Sequence, residues 1–95
     1  MTSNTELRFS LRAEANIRNI LQYTLQTWGP GQRDAYQQRL GQAFLTIRDF
    51  PDIGHPLGAD GRIRAFHLEH HTIIYRHDPG IVTILRIVNP RRLRR

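Results

Sequence analysis

The sequence has no cysteine, which excludes disulfides, thiolate metal centres and thiol nucleophiles. It also has no lysine: all 14 basic residues are arginine, set against eight acids, for a net charge of +6. No apolar run approaches the roughly 20 residues of a membrane span. The segment Met1-Thr2-Ser3-Asn4-Thr5 has neither the basic nor the apolar region of a signal peptide. The expectation is therefore a cytoplasmic protein with no membrane contact. At 95 residues there is room for a single core, so residues 1–95 are read as one domain, with a loose N-terminus at 1–5 and a basic tail at 89–95. A chain of this size buries roughly 60–70% of its unfolded surface, enough to fold alone with little margin.

The arginines are unevenly spread. Residues 1–49 hold six against four acids; residues 50–95 hold eight against four, and Arg91, Arg92, Arg94 and Arg95 make up half of those eight. Guanidinium groups give planar, bidentate contacts to phosphate or carboxylate. Nucleic acid, a nucleic-acid enzyme and an acidic protein all suit such a surface, and charge does not choose among them.

The most organised stretch is His70-His71-Thr72-Ile73-Ile74-Tyr75-Arg76, then His77-Asp78-Pro79-Gly80, then Ile81 to Val88. β-branched and aromatic residues flank Asp-Pro-Gly turn chemistry, which predicts a β-hairpin. Ile81–Val88 carries one charge in eight residues, as expected of a central strand with neighbours on both sides. Upstream, Glu6-Leu7-Arg8-Phe9-Ser10 alternates like a short strand with Leu7 and Phe9 inward. Ser10 then stands as a helix N-cap, with Glu14 in the first turn. Ala13, Ile17, Ile20, Leu21, Thr24 and Trp28 form one face of a helix from about Leu11 to Trp28, with Trp28 expected to cap the packing. Gly29-Pro30 ends that helix and starts a second, from about Gly31 to Asp49, with Tyr36, Leu40, Ala43, Phe44 and Ile47 as its stripe. Two amphipathic helices joined this closely should pack antiparallel as cover for a sheet.

Residues 50–61 read as one long loop, either functional or pinned by Ile53 and Leu57. Arg62 to Leu68 reads as a strand anchored by Ile63 and Phe66. The order strand, helix, helix, strand, strand, strand predicts an α+β fold, β-α-α-β-β-β, with a helical hairpin on a small, mainly antiparallel sheet.

In this order and spacing, several fragments resemble the ParE branch of the ParE/RelE superfamily of type II toxin–antitoxin toxins. They are Phe9-Ser10 with Ala13 and Ala15, Ile20 with Tyr23-Thr24, Trp28-Gly29 with Gln32, Tyr36 and Leu40, and Pro51 with Gly54. Gly61-Arg62-Ile63-Arg64, the His70–Arg76 segment and Val82–Ile87 complete the match. The resemblance covers about residues 7–92. It implies a growth-inhibiting bacterial toxin neutralised by a cognate antitoxin, with operator DNA contacted only indirectly through that antitoxin. RelE-like members of the superfamily cleave messenger RNA on the ribosome, whereas ParE-like members act on DNA gyrase and are not nucleases.

RNA cleavage needs a base, a proton donor and cations over the phosphate. RelE-type nucleases place an arginine on the strand before the His-Thr-Ile-Ile-Tyr segment and a Tyr or His just past the last strand. Here the first place reads Ala65-Phe66, with Arg64 adjacent, and the second reads Ile87-Val88-Asn89-Pro90-Arg91. The missing Tyr or His favours a gyrase-directed toxin without catalytic residues. Its candidate target- and partner-binding residues are Arg62, Arg64, Arg76, Arg86, Arg91, Arg92, Arg94 and Arg95. The alternative is a ribosome-dependent endoribonuclease using Arg64, His70, His71 and Arg86, and a third reading is an inactive member that only binds its antitoxin. Arg86, alone in an apolar strand, belongs on a solvent-open sheet face or beside a carboxylate. His67, His70, His71 and His77 raise the question of zinc, which needs three or four converging ligands. On a continuous strand His67 and His71 would share a face and His70 would oppose it. No metal and no cofactor is expected.

Overall fold

Residues 4–90 are described by a computed structural model. The chain runs β1 (Glu6–Phe9), α1 (Leu11–Trp28), α2 (Pro30–Asp49), β2 (His55–Pro56), β3 (Ile63–Leu68), β4 (His71–Asp78) and β5 (Ile81–Val88). The strands form one sheet in the order β1-β5-β4-β3-β2. β1 pairs parallel to β5 and the other neighbours pair antiparallel. The fold is the expected α+β arrangement, with β2 as an additional strand inside what the sequence presents as loop.

Ser10 starts α1 as expected: its hydroxyl accepts from the Ala13 amide at 3.0 Å, satisfying an orphan donor of the first turn. The same hydroxyl donates to the Leu85 carbonyl at 2.7 Å, and Asn16 Oδ1 accepts from the Ile87 amide at 2.9 Å. β1 pairs with β5 only as far as Ile84. The first two turns of α1 thus supply polar partners to β5 where β1 has stopped. Gly29, at φ 94, closes α1 through its amide to Leu25 O at 2.9 Å and is followed at once by Pro30 in the first turn of α2.

The core lies between the helices and one sheet face. Ala13, Tyr36, Leu40, Ala43, Phe44 and Ile47 from the helices meet Ile73, Tyr75, Val82, Ile84 and Ile87. The α2 stripe is buried as the spacing predicts. Trp28 is not a packing cap; it is 67% exposed at the end of α1. In β3 the two expected anchors divide, because Ile63 and Phe66 have opposite parity. Phe66 packs against the core, whereas the most buried residue of the strand is Ala65, on the other face.

Two tight turns and a bulge set which side chains face which way. The β3–β4 turn is only Glu69-His70, with Glu69 at φ 44, so β4 begins at His71. The β4–β5 turn is only Pro79-Gly80, with Gly80 at φ 74, so β4 extends two residues beyond Arg76 to Asp78. A bulge then interrupts β4–β5: Tyr75 opposes Ile84 but Ile74 opposes Arg86, leaving Leu85 as the extra residue. The bulge resets the parity of β5. Ile87 turns inward behind Val82 and Ile84, and Arg86 turns to the face that, among the described residues, no helix covers.

Candidate functional site

The connection from α2 to β3 is held by side chains from the sheet. Tyr75 is wholly buried, donates its hydroxyl proton to Pro51 O at 2.6 Å, and accepts from the Gly54 amide at 3.0 Å. Arg64 donates to Gly61 O at 2.9 Å, Gly54 O at 2.7 Å and Asp52 O at 3.2 Å. Burial pushes the Tyr75 hydroxyl above its ordinary value, with the Gly54 amide and Arg64 opposing that shift, so it remains a proton donor to Pro51. Ile53 and Leu57, expected to pin this connection, are 48% and 52% exposed, and Phe50 is 66% exposed. The pin is polar, and the segment's own apolar side chains are left facing out.

Arg62 and Arg76 converge on one carboxylate at the start of β3 and the end of β4. Arg62 pairs with Asp78 Oδ1, and Arg76 Nε donates to Asp78 Oδ2 at 2.8 Å. Arg62 foremost, then Arg76, holds the Asp78 carboxyl below the ordinary carboxylate range. Arg76 shares its sheet face with Arg86, which is exposed. Arg8 of β1 lies on that face too, opposite Thr83 and paired with Glu6 at 2.7 Å. The four arginines singled out from β3 to β5 therefore do not make one patch. Arg76 and Arg86 share the open face, Arg62 meets Arg76 at its rim, and Arg64 is spent on loop carbonyls. Arg91, Arg92, Arg94 and Arg95 lie outside the described residues. Arg8 was missed because a lone arginine in a short N-terminal strand carries no sequence signal; only the parallel pairing with β5 brings it to this face.

The histidines separate. The short β3–β4 turn reverses the chain, so His67 and His71 lie on opposite sheet faces rather than sharing one. His67 Nδ1 is 2.9 Å from Thr72 Oγ1 on the open face. His71 Nδ1 is 2.6 Å from the Tyr36 hydroxyl on the helix side. His70 is exposed in the turn, and His77 Nδ1 is 3.5 Å from Asp52. Among the described residues no three of His, Asp and Glu come together as a metal site. The would-be nuclease residues are likewise scattered: Arg64 under the α2–β3 connection, His70 in a turn, His71 against α2, and Arg86 on the far face.

The Tyr36–His71 pair titrates in a direction that can be checked. Burial, then the neighbouring His70, lowers the His71 pKa from its usual 6.5, and burial with the Glu69 charge raises Tyr36 to about 12, against the opposing Arg39. Neutral His71 therefore faces a protonated Tyr36. Because the unfolded chain binds the proton more readily, this contribution to stability is complete above about pH 6.5 and lost as pH falls through the lowered folded value. The expected result is a urea midpoint that drops between pH 7 and pH 5, with a smaller drop in His71→Gln; equal slopes for both proteins would refute it.

Two grooves of mixed apolar and polar lining border α2. One, of ≈ 570 Å³, runs between α2 and β3, lined by Ala43, Phe66 and Leu68 together with Gln38, Arg39 and Gln42. The other, of ≈ 450 Å³, lies over Phe9, Ile17 and Phe44. Arg39 pairs with Glu69 and so ties the first groove to the β3–β4 turn.

Residues 7–94 match the model of the ParE toxin family of the type II toxin–antitoxin system parDE. The chain belongs to this family. The fold agrees across solved structures. The chromosomal ParDE system of P. aeruginosa superposes with a TM-score of 0.77 at 18% identity, covering 93% of this chain and 98% of that one. The RelBE2 toxin–antitoxin complex of Mycobacterium tuberculosis gives 0.64 at 20% identity, over 94% and 93% of the two chains. YafQ from E. coli strain BL21(DE3) gives 0.62 at 13% identity, over 96% and 99%. At these identities the likeness is one of fold. No curated protein matches the sequence significantly. No helix among the described residues is long and apolar enough to cross a membrane.

Proposed function

We propose that this ParE-family toxin arrests growth by binding DNA gyrase and obstructing its DNA-breaking cycle, and that a cognate antitoxin neutralises it. The observation that carries the reading is the dispersal of the residues an RNA-cleaving site would need. Cleavage requires a base, an acid and a cation around one phosphate. Arg64 is engaged by three backbone carbonyls, His71 by Tyr36, and Arg86 faces away from both. Asn89-Pro90 after β5 adds no Tyr or His. Contact between surfaces needs no such convergence, and the open face with Arg8, Arg76 and Arg86 suits an acidic target.

The grooves beside α2, together with the exposed Phe50, Ile53 and Leu57, support an antitoxin segment that covers apolar surface and sets acids against arginines. The reading implies action in the cytoplasm and contact with operator DNA only through the antitoxin. Purified gyrase with relaxed and supercoiled plasmid tests it directly. Adding the protein should block supercoiling or trap cleaved plasmid, and adding the antitoxin should reverse the effect. Codon-linked cuts in translated message within minutes of induction, with gyrase untouched, would assign the chain to ribonuclease action instead.

A further inference from the structure

We infer that His55 and His67 supply two of the ligands for a borderline divalent transition-metal ion such as Zn²⁺, Ni²⁺ or Cu²⁺, at the β2–β3 edge of the open face. His55 stands directly opposite Ala65, and His67 lies two residues along the same strand, so both imidazoles project from one side of the sheet. Ala65 between them presents only a methyl group, 4% exposed. The ring centroids are 5.1 Å apart with the planes inclined at 35°. Two imidazoles on one tetrahedral ion, with metal–nitrogen bonds of about 2.0–2.1 Å, place their ring centroids about 5 Å apart. The ring separation therefore matches what two imidazoles on one ion require.

A second partner stands beside His67 as well. His67 Nδ1 is 2.9 Å from the hydroxyl of Thr72, which is only 7% exposed. With Nδ1–H donating to that hydroxyl, Nε2 keeps the lone pair a metal requires; a fixed second partner of this kind raises ligand basicity and holds the ring in place. The other coordination positions are left to water or to a side chain of whatever docks on this face. Imidazole is the ligand these ions share, and with two nitrogens the Irving–Williams order puts Cu²⁺ first. An ion here would staple β2, and with it the α2–β3 connection, to β3. The site does not depend on the gyrase reading.

The test is calorimetric titration of the untagged protein with Zn²⁺, Ni²⁺ and Cu²⁺ in a non-chelating buffer. Thermal unfolding with and without ion, and circular dichroism of every variant, accompany it. One ion should bind per chain at micromolar concentration, raise the Tm, and be released on acidification, since only neutral imidazole ligates. His55→Gln and His67→Gln should each abolish that binding, Thr72→Val should weaken it by about tenfold, and His70→Gln should leave it unchanged. No binding at micromolar ion, or binding that survives either His55→Gln or His67→Gln in a folded protein, would overturn the site.

Discussion

Gly54→Ala should lower the Tm by about 10 °C or more, corresponding to a cost of roughly 2–4 kcal/mol in a domain of this size. A Cβ at this position would stand 2.8 Å from the Ala65 carbonyl, 2.8 Å from the Tyr75 hydroxyl and 3.0 Å from Tyr75 Cε1. None of the three can retreat easily. Ala65 O is backbone of a strand paired on both sides, and the Tyr75 ring is wholly buried and tethered to Pro51. The contact also sits on the bond it would break, the Gly54 amide to the Tyr75 hydroxyl. Tyr75→Phe should cost less, about 1–3 kcal/mol, by leaving the Pro51 carbonyl and the Gly54 amide without that partner. The double variant should cost less than the sum, because both changes release the same connection. Gly41→Ala is the contrast: nothing lies within 4 Å of a Cβ there, in the middle of α2, so it should stabilise by about 0.5–1 kcal/mol. Equal Tm values for Gly54→Ala and the parent would remove the Tyr75–Gly54–Ala65 approach as a determinant of stability.

That same lock marks where the sequence stops being legible. The α1 and α2 stripes and the apolar run of β5 announce themselves because burial of one face imposes a 3.6 or 2.0 period on neighbouring residues. The α2–β3 connection has no such period. Its prolines and glycines forbid regular structure, while its fixation comes from Tyr75 and Arg64, 21 and 10 residues beyond Gly54. The connection's own apolar residues, Ile53 and Leu57, are about half exposed and do not supply the pin.

Residue facing was limited in a different way. A strand's parity can be read only until a turn or bulge of unknown length intervenes. Counting from Ile84 puts Arg86 on the core side, and only the unpaired Leu85 moves it to the open face. Counting from His67 puts His71 beside it, and only the two-residue turn with Glu69 at φ 44 sends it to Tyr36. The residue types at the candidate site could be read from the sequence; which of them meet could not.

Deleting residues 91–95 should relieve growth arrest while leaving the Tm nearly unchanged. Pro90 has no amide proton and restricts the backbone of Asn89, and β5 ends at Val88. Every core residue of the described chain comes before that point. The five deleted residues are four arginines and one leucine, a composition that repels itself and offers little for burial. Their loss removes four of the 14 arginines and brings the net charge from +6 to +2, since the deleted segment contains no acid. If each guanidinium contributes roughly 0.5–1 kcal/mol to contact with an acidic gyrase surface or the DNA held there, target affinity falls by about 30- to 1000-fold. Such a loss should be visible as restored colony formation on induction. If gyrase is the target as proposed, it should also appear as a shallower salt dependence of the inhibition that remains, because fewer charges are then engaged. Expression and Tm measured alongside separate loss of function from loss of fold. Full toxicity in a truncated, well-expressed protein would rule the tail out and leave Arg8, Arg76 and Arg86 on the open sheet face as the charges to replace next.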